Sequence, residues 1–243
     1  MSQLTNEEFI DFIESFKDEF YIPITEISKS MGDRNESLVV NDFQMYSLDD
    51  ICKKSLKFKN NLPKTTDAIF YRIDNENKMI FYIIEFKFYN LERESTYNVL
   101  DVIYEKLEKK NQQTFEYSNK KIISDGLLNK FELIKNNFVD SVEVSLRLKP
   151  IETIMVALPI LYEEYCEKNN ITPKNLEEYL KNIDVKFYIF LNRYDKNISA
   201  ERFFGHSVEN KLKHQFERLK MVNIINDYFI RTRSEFDVFI KQF

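Results

Sequence analysis

The chain reads as an α/β fold. An amphipathic helix opens it, two aromatic-rich strands joined by a short polar loop follow, and helical and strand-like segments alternate from there to the end. In residues 5–20, TNEEFIDFIESFKDEF, Phe9, Ile13, Phe16 and Phe20 fall on one helical stripe that Phe12 widens, and Thr5 or Asn6 can cap the start. A second, weaker helical segment is expected within 33–54, where SLDDICKK offers a serine cap followed by acids. SLKFK at 55–59 alternates as a strand does, and NNLPK turns the chain. The two opening strands then cover about 67–73 and 79–88, with DNENK at 74–78 as their hairpin loop.

From about 95 to 148 the pattern is helical, and Pro150 is expected to stop the last helix, FELIKNNFVDSVEVSLRLK. ETIMVALPIL reads as the next strand. TPKNLEEYLKNI reads as a helix capped by Thr172 with Pro173 at its first position, and DVKFYIFLNR as a buried strand. A helix from about Ser207 through the 230s ends the chain. With no internal repeat and no linker-like stretch, the expectation is a single domain over residues 1–243.

Composition narrows the function classes. A chain of 243 residues that is 43% hydrophobic and 31% charged can build a substantial core, and 3 Gly and 5 Pro beside 22 Phe and 14 Tyr exclude collagenous and low-complexity classes. The longest uncharged apolar runs are too short to cross a bilayer, so no membrane partner is expected. The start, MSQLTNEEF, has neither a basic nor an apolar leader region, which gives a cytoplasmic expectation. Cys52 and Cys166 lack neighbouring Cys or His at metal-ligand spacing and read as free thiols in a reducing compartment. A net charge of -5 gives no global case for nucleic-acid binding, but the acids concentrate in the first fifty residues and leave a mildly basic body.

The informative stretch is TTDAIFYRIDNENKMIFYIIEFKF at 65–88. Glu85 and Lys87 interrupt the end of a very apolar strand, and an unpaired charge in apolar surroundings is costly enough to demand a partner. Side chains alternate along a strand, so Glu85 and Lys87 share one face while Ile84, Phe86 and Phe88 take the other. The hairpin loop pairs residues near 73 with residues near 79. Position 67 therefore falls opposite the mid-eighties, and Asp67 comes within reach of Glu85. Two carboxylates that face each other repel, and an oxygen-lined site of this kind suits Mg²⁺. Such an ion polarises a phosphodiester and lowers the pKa of an attacking water, while the lysine holds that water or stabilises the charge developing on the phosphate.

Asp67 followed by Glu85-Phe86-Lys87 resembles the PD-(D/E)xK nuclease motif of the restriction-endonuclease-like superfamily. The resemblance spans roughly residues 1–161 and implies an αβββαβ core with a mixed central sheet flanked by helices. The acid stands at the start of its second strand and the Glu-x-Lys on its third, and residues 162–243 become a C-terminal α/β extension. SLKFK would be the first core strand and ETIMVALPIL the one after the helix. The resemblance implies Asp67, Glu85 and Lys87 as catalytic residues, and Mg²⁺ or Mn²⁺ held by Asp67 and Glu85 with help from the Phe86 carbonyl. The substrate would be nucleic acid, DNA in the first instance, and homodimerisation is common in that superfamily. Thr66 stands where the motif has proline. Glu36 is the candidate for a further metal-binding acid from the N-terminal region, with Glu14 and Glu19 as competitors.

The string [DE]-x-K also occurs at Glu76, Glu108, Asp184 and Glu209, but only Glu85 lies deep in an apolar strand with an acidic partner. Arg147 and Lys149, at the expected end of a helix, and Lys211 and Lys213, on the C-terminal helix, are candidate nucleic-acid contacts. For each of these the competing reading is a helix terminus or solvated face that favours cations. His206 and His214 form no persuasive pair, and three scattered glycines build no phosphate loop. The alternative function is a catalytically inactive nuclease fold that binds protein or nucleic acid.

Overall fold

The computed structural model describes residues 3–29, 37–87, 144–191 and 206–243, without the side chains of 206–211. By internal contacts the chain divides into two compact units. One, residues 1–88, 145–194 and 212–243, holds nearly everything described; the other comprises 89–144 and 195–211.

The fold is α/β, with a six-stranded, open, mixed sheet flanked by helices. The strands are β1 (Tyr21–Pro23), β2 (Gln44–Ser47), β3 (Ala68–Ile73), β4 (Met79–Lys87), β5 (Asp184–Leu191) and β6 (Asp227–Thr232), and they lie side by side in sequence order. The pairs from β1 to β4 are antiparallel, and those from β4 to β6 are parallel. The helices are α1 (Asn6–Glu14), α2 (Lys17–Phe20), α3 (Ile24–Ile27), α4 (Leu48–Lys54), α5 (Leu158–Asn169), α6 (Leu176–Asn182), α7 (His206–Met221) and α8 (Phe236–Ile240). Residues 144–152 are also helical and run into α5 through a π-helical stretch, Thr153–Ala157. Among the described residues no helix is long and apolar enough to cross a membrane.

The hairpin follows its sequence signal closely. Asp74 Oδ1 accepts from the backbone N–H of Glu76 and of Lys78, both at 2.9 Å, and Asn77 takes a left-handed conformation at φ 62°. This fixes the register Ile73↔Met79 through Ala68↔Ile84. Helix α1 begins with a capping box, in which Thr5 and Glu8 each satisfy the other's backbone N–H. It buries Phe9, Phe12 and Ile13 on the expected stripe, then breaks at residues 15–16 and resumes as α2.

Strand β4 is apolar on both faces because it is covered on both faces. On one side Ile80, Tyr82, Ile84 and Phe86 pack with Tyr188 and Phe190 against Phe236 and Phe239 of α8. On the other, Phe81 meets Phe9 of α1 with ring centroids at 5.4 Å, and Phe187 of β5 meets Phe216 of α7 at 5.3 Å. Glu85 and Lys87 belong to this second face by alternation.

Several expected elements are different. SLKFK is no strand: Leu56–Phe58 form a 3₁₀ turn capped by Ser55, and the strand beside β3 is β2, from the segment expected to be helical. Only α4 of that segment is helix, and residues 30–36 lie outside the described residues. ETIMVALPIL is helical throughout, so the strand after the helix is β5. Its apolar residues continue into LYEEYC, so that Leu158 with Leu161, Tyr162 and Cys166 forms one buried helical face.

Pro150 does not end its helix. It removes one backbone donor, and the helix continues into the wider π turn. The cap of α6 is Asn175, accepting from the Glu178 N–H, rather than Thr172. The C-terminal helix stops at Met221, where Asn223 turns left-handed, and β6 replaces its expected continuation. The helical pattern read at 95–143 lies outside the described residues. Strands β5 and β6 continue the same sheet as β2 to β4, and Cys52 and Cys166 are buried free thiols.

Phe187→Ala should cost about 3–5 kcal/mol, because it empties a fully buried site between β5 and α7. Val238→Ala, at an exposed position of α8, should change stability by less than about 0.5 kcal/mol. Urea denaturation of the two variants checks both values, and equal costs would contradict this packing.

Candidate active site

The site forms where the C-terminal end of β4 meets the start of β3. The register Ala68↔Ile84, carried one residue further, sets Asp67 against Glu85, as the sequence predicts. Two backbone hydrogen bonds hold the aspartate in place. Its carbonyl accepts from the Leu48 N–H at 3.0 Å, and its Oδ2 accepts from the Phe86 N–H at 2.6 Å. The first bond exists because Ser47 of β2 pairs with Ala68, bringing the start of α4 beside residue 67.

The third participant is Lys149, on the helical stretch before the π turn. Its Nζ lies 2.7 Å from Glu85 Oε2 and 3.4 Å from Asp67 Oδ1. Glu85 is 1% exposed, whereas the side chains of Asp67 and Lys149 keep 19% and 14% of their surface. Glu85 Oε2 is buried, and its close partner is the Lys149 ammonium, which both its charge and hydrogen bonding draw to the carboxylate. Lys87 stands two residues from Glu85 on the same strand face, half-buried, and its charge stabilises the Glu85 carboxylate.

The helix that carries Lys149 is pinned to the strand start by its next turn. Glu152 accepts from the Lys64 N–H, and Thr153 Oγ1 accepts from the Thr66 N–H at 3.0 Å. Residues three and four apart share a helical face, so these contacts present Lys149 to the same region. They also account for threonine where the motif has proline: the N–H of residue 66 is used, and proline has none. The Thr65 hydroxyl donates to Asp49, which raises the Asp67 pKa through its charge.

Burial is the chief influence on all three ionisable groups. It pushes the Glu85 carboxyl up to about 8, with the Asp67 charge adding and Lys149 and Lys87 opposing. It likewise raises Asp67, against Lys149 and the Phe86 N–H. Burial works against the Lys149 ammonium, but Glu85 and Asp67 together outweigh it and hold its pKa above that of an ordinary lysine.

Of the sequence candidates, Asp67, Glu85 and Lys87 are brought together. Lys149 joins them as the counter-charge of the two acids, and it stands within a helix that runs on past it rather than at a helix end. Arg147 Nη1 donates to Gln215 Oε1 of α7 at 3.5 Å, and Lys213 is exposed on α7. The side chain of Lys211 and all of Glu36 lie outside the described residues. Glu14 is taken up by the Tyr71 hydroxyl at 2.6 Å and by Lys17, and Glu19 by Lys54, so neither completes the cluster. Asp49, near the start of α4, is a further acid whose charge reaches Asp67, and the pairing of β2 with β3 brings it there.

The donor set suits a hard divalent cation in kind: two carboxylates, one of them buried, beside the Phe86 peptide. Among the described residues no three His, Cys, Asp or Glu side chains converge as metal ligands, so waters would complete such a shell.

Between pH 4.5 and about 8 the folded chain keeps a proton on Glu85 that the unfolded chain has released, so this group's contribution to stability falls as pH rises through that window. The limiting slope is about 1.4 kcal/mol per pH unit for one proton. Denaturation midpoints of the wild type should therefore fall with pH relative to Glu85→Gln, and parallel profiles would contradict the assignment. Thr66→Pro should cost about 1–3 kcal/mol by removing the donor to Thr153. Combined with Thr153→Val it should be clearly less than additive in the same denaturation assay.

Compared with family models, with curated proteins and with solved structures, the chain gave no match, so the reading of this site rests on its own chemistry.

Proposed function

We propose that the chain hydrolyses phosphodiester bonds in nucleic acid, DNA in the first instance, with Asp67 and Glu85 holding Mg²⁺ or Mn²⁺. The observation that carries this reading is the convergence of Asp67 and Glu85 on one cation position, with Lys87 beside them at the end of a central strand. The element order supports it. Three successive antiparallel strands, β2, β3 and β4, are followed by helices and by β5 parallel to β4, an order that resembles αβββαβ once β1, α4 and α6 are set aside as additions. Asp67 then precedes the second of these strands and Glu85-Phe86-Lys87 ends the third, as in restriction-endonuclease-like nucleases.

When bound, the ion would supply Lewis-acid polarisation of the phosphate and a lowered pKa for a water. Glu85 and Asp67 orient the ion, and both must be ionised to do so, so affinity for it rises with pH towards about 8. Lys87 presents a positive charge on the same face, where it can stabilise the negative charge that develops on the phosphate or position the nucleophile. The apolar covering of β4 keeps bulk water from Glu85 and strengthens its interactions.

A second reading, an inactive fold that binds protein or nucleic acid, is favoured by one observation: Lys149 already balances the two acids without an ion.

Incubation of plasmid, linear duplex, single-stranded DNA and RNA with Mg²⁺ or Mn²⁺ distinguishes the two. Cleavage by the wild type should fall about 100-fold or more in Lys87→Ala and in Asp67→Asn. Absence of cleavage, or equal cleavage by all three proteins, would sink the nuclease reading.

A further inference from the structure

We infer that Lys149 is a tethered counter-cation whose ammonium and a divalent ion exclude each other at the Asp67–Glu85 pair, so that metal loading expels this side chain. The inference rests on the metal-binding reading of those two acids and adds to it the group that the ion must displace.

Lys149 Nζ touches both prospective ligands, at 2.7 Å from Glu85 Oε2 and 3.4 Å from Asp67 Oδ1. A Mg²⁺ ion bonds carboxylate oxygen at about 2.0–2.1 Å. Sharing Glu85 Oε2 with Nζ would therefore press two cations together in a region of little water, where their repulsion is strong. With the ion and the ammonium both present, the charge also exceeds that of the two acids. Both of its partners are the carboxylates the ion would bind, so the ammonium loses these contacts when the ion takes them.

The lysine has somewhere to go. It keeps 14% of its side-chain surface in solvent, while Glu85 keeps 2%. Its four-carbon stem pivots from a helix fixed by Thr66 and Lys64, so expulsion moves the side chain and leaves the backbone where it is. The expelled ammonium lies at the rim of the site, where an anionic substrate would meet it. In the ion-free chain the same group offsets the repulsion of two carboxylates, which lets the fold form without metal.

Lysine labelling tests this on the wild-type chain. Acylation of Lys149, followed by peptide mass spectrometry, should quicken several-fold on addition of saturating Mg²⁺, with the exposed Lys59 as internal standard. An unchanged rate at Lys149 in a chain that binds the ion would overturn the inference. Calorimetric titration with Mn²⁺ supplies the second arm. Lys149→Met should bind the ion at least about tenfold more tightly than the wild type, a difference of about 1.4 kcal/mol, and its melting temperature should depend more steeply on Mn²⁺. Equal affinities would overturn the exclusion and leave the metal reading standing. If neither protein binds Mn²⁺, the metal reading and the inference fall together. The labelling arm stands whether or not the variant folds.

Discussion

The structure turns on one carboxylate placed where water cannot reach it. Glu85 sits in a strand paired on both edges and covered on both faces, and ionising it there without compensation would cost several kcal/mol. The surroundings are arranged to meet that cost. A lysine arrives from a helix fastened to the neighbouring strand start, a second lysine lies two residues along, and Asp67 is anchored by peptide N–H groups instead of by further cations. Replacing Glu85 with an apolar residue would be the simpler way to stabilise such a strand. That this chain keeps an ionisable group there and builds a counter-charge beside it is a pattern found where ionisable groups do chemistry.

Much of this centre was legible because short-range rules govern it. The loop DNENK announces its turn, alternation assigns faces, and counting back from the loop sets Asp67 against Glu85. What escaped depends on long-range packing. A four-residue strand, QMYS, carries too little pattern to be seen, and the alternation of SLKFK mimicked one nearby. The run ETIMVALPIL is as apolar as a buried strand, and periodicity over so short a window cannot tell the two apart. The spacing of Leu158, Leu161, Tyr162 and Cys166 was the discriminating signal, and half of it lies beyond the run itself.

The role of Lys149 was hidden for a related reason. With Pro150 read as a terminator, the residue before it became a helix end, where lysine is unremarkable. A helix that passes through Pro150 and widens at Thr153–Ala157 instead turns Lys149 inward. The same turn spends the hydroxyl of Thr153 on Thr66, so the departure from proline at position 66 and the placement of the inward lysine share one cause.

The parallel pairing of β4 with β5 joins Ile80 to Asp184, so during synthesis β4 leaves the ribosome long before its partner exists. Over that interval one edge of a nine-residue, aromatic-rich strand stands open in the nascent chain, the kind of edge that recruits other chains into sheet. Its charged end then serves a second purpose. Charge at Glu85 and Lys87 makes that end of the strand less suited to stacking against the sheet of another chain.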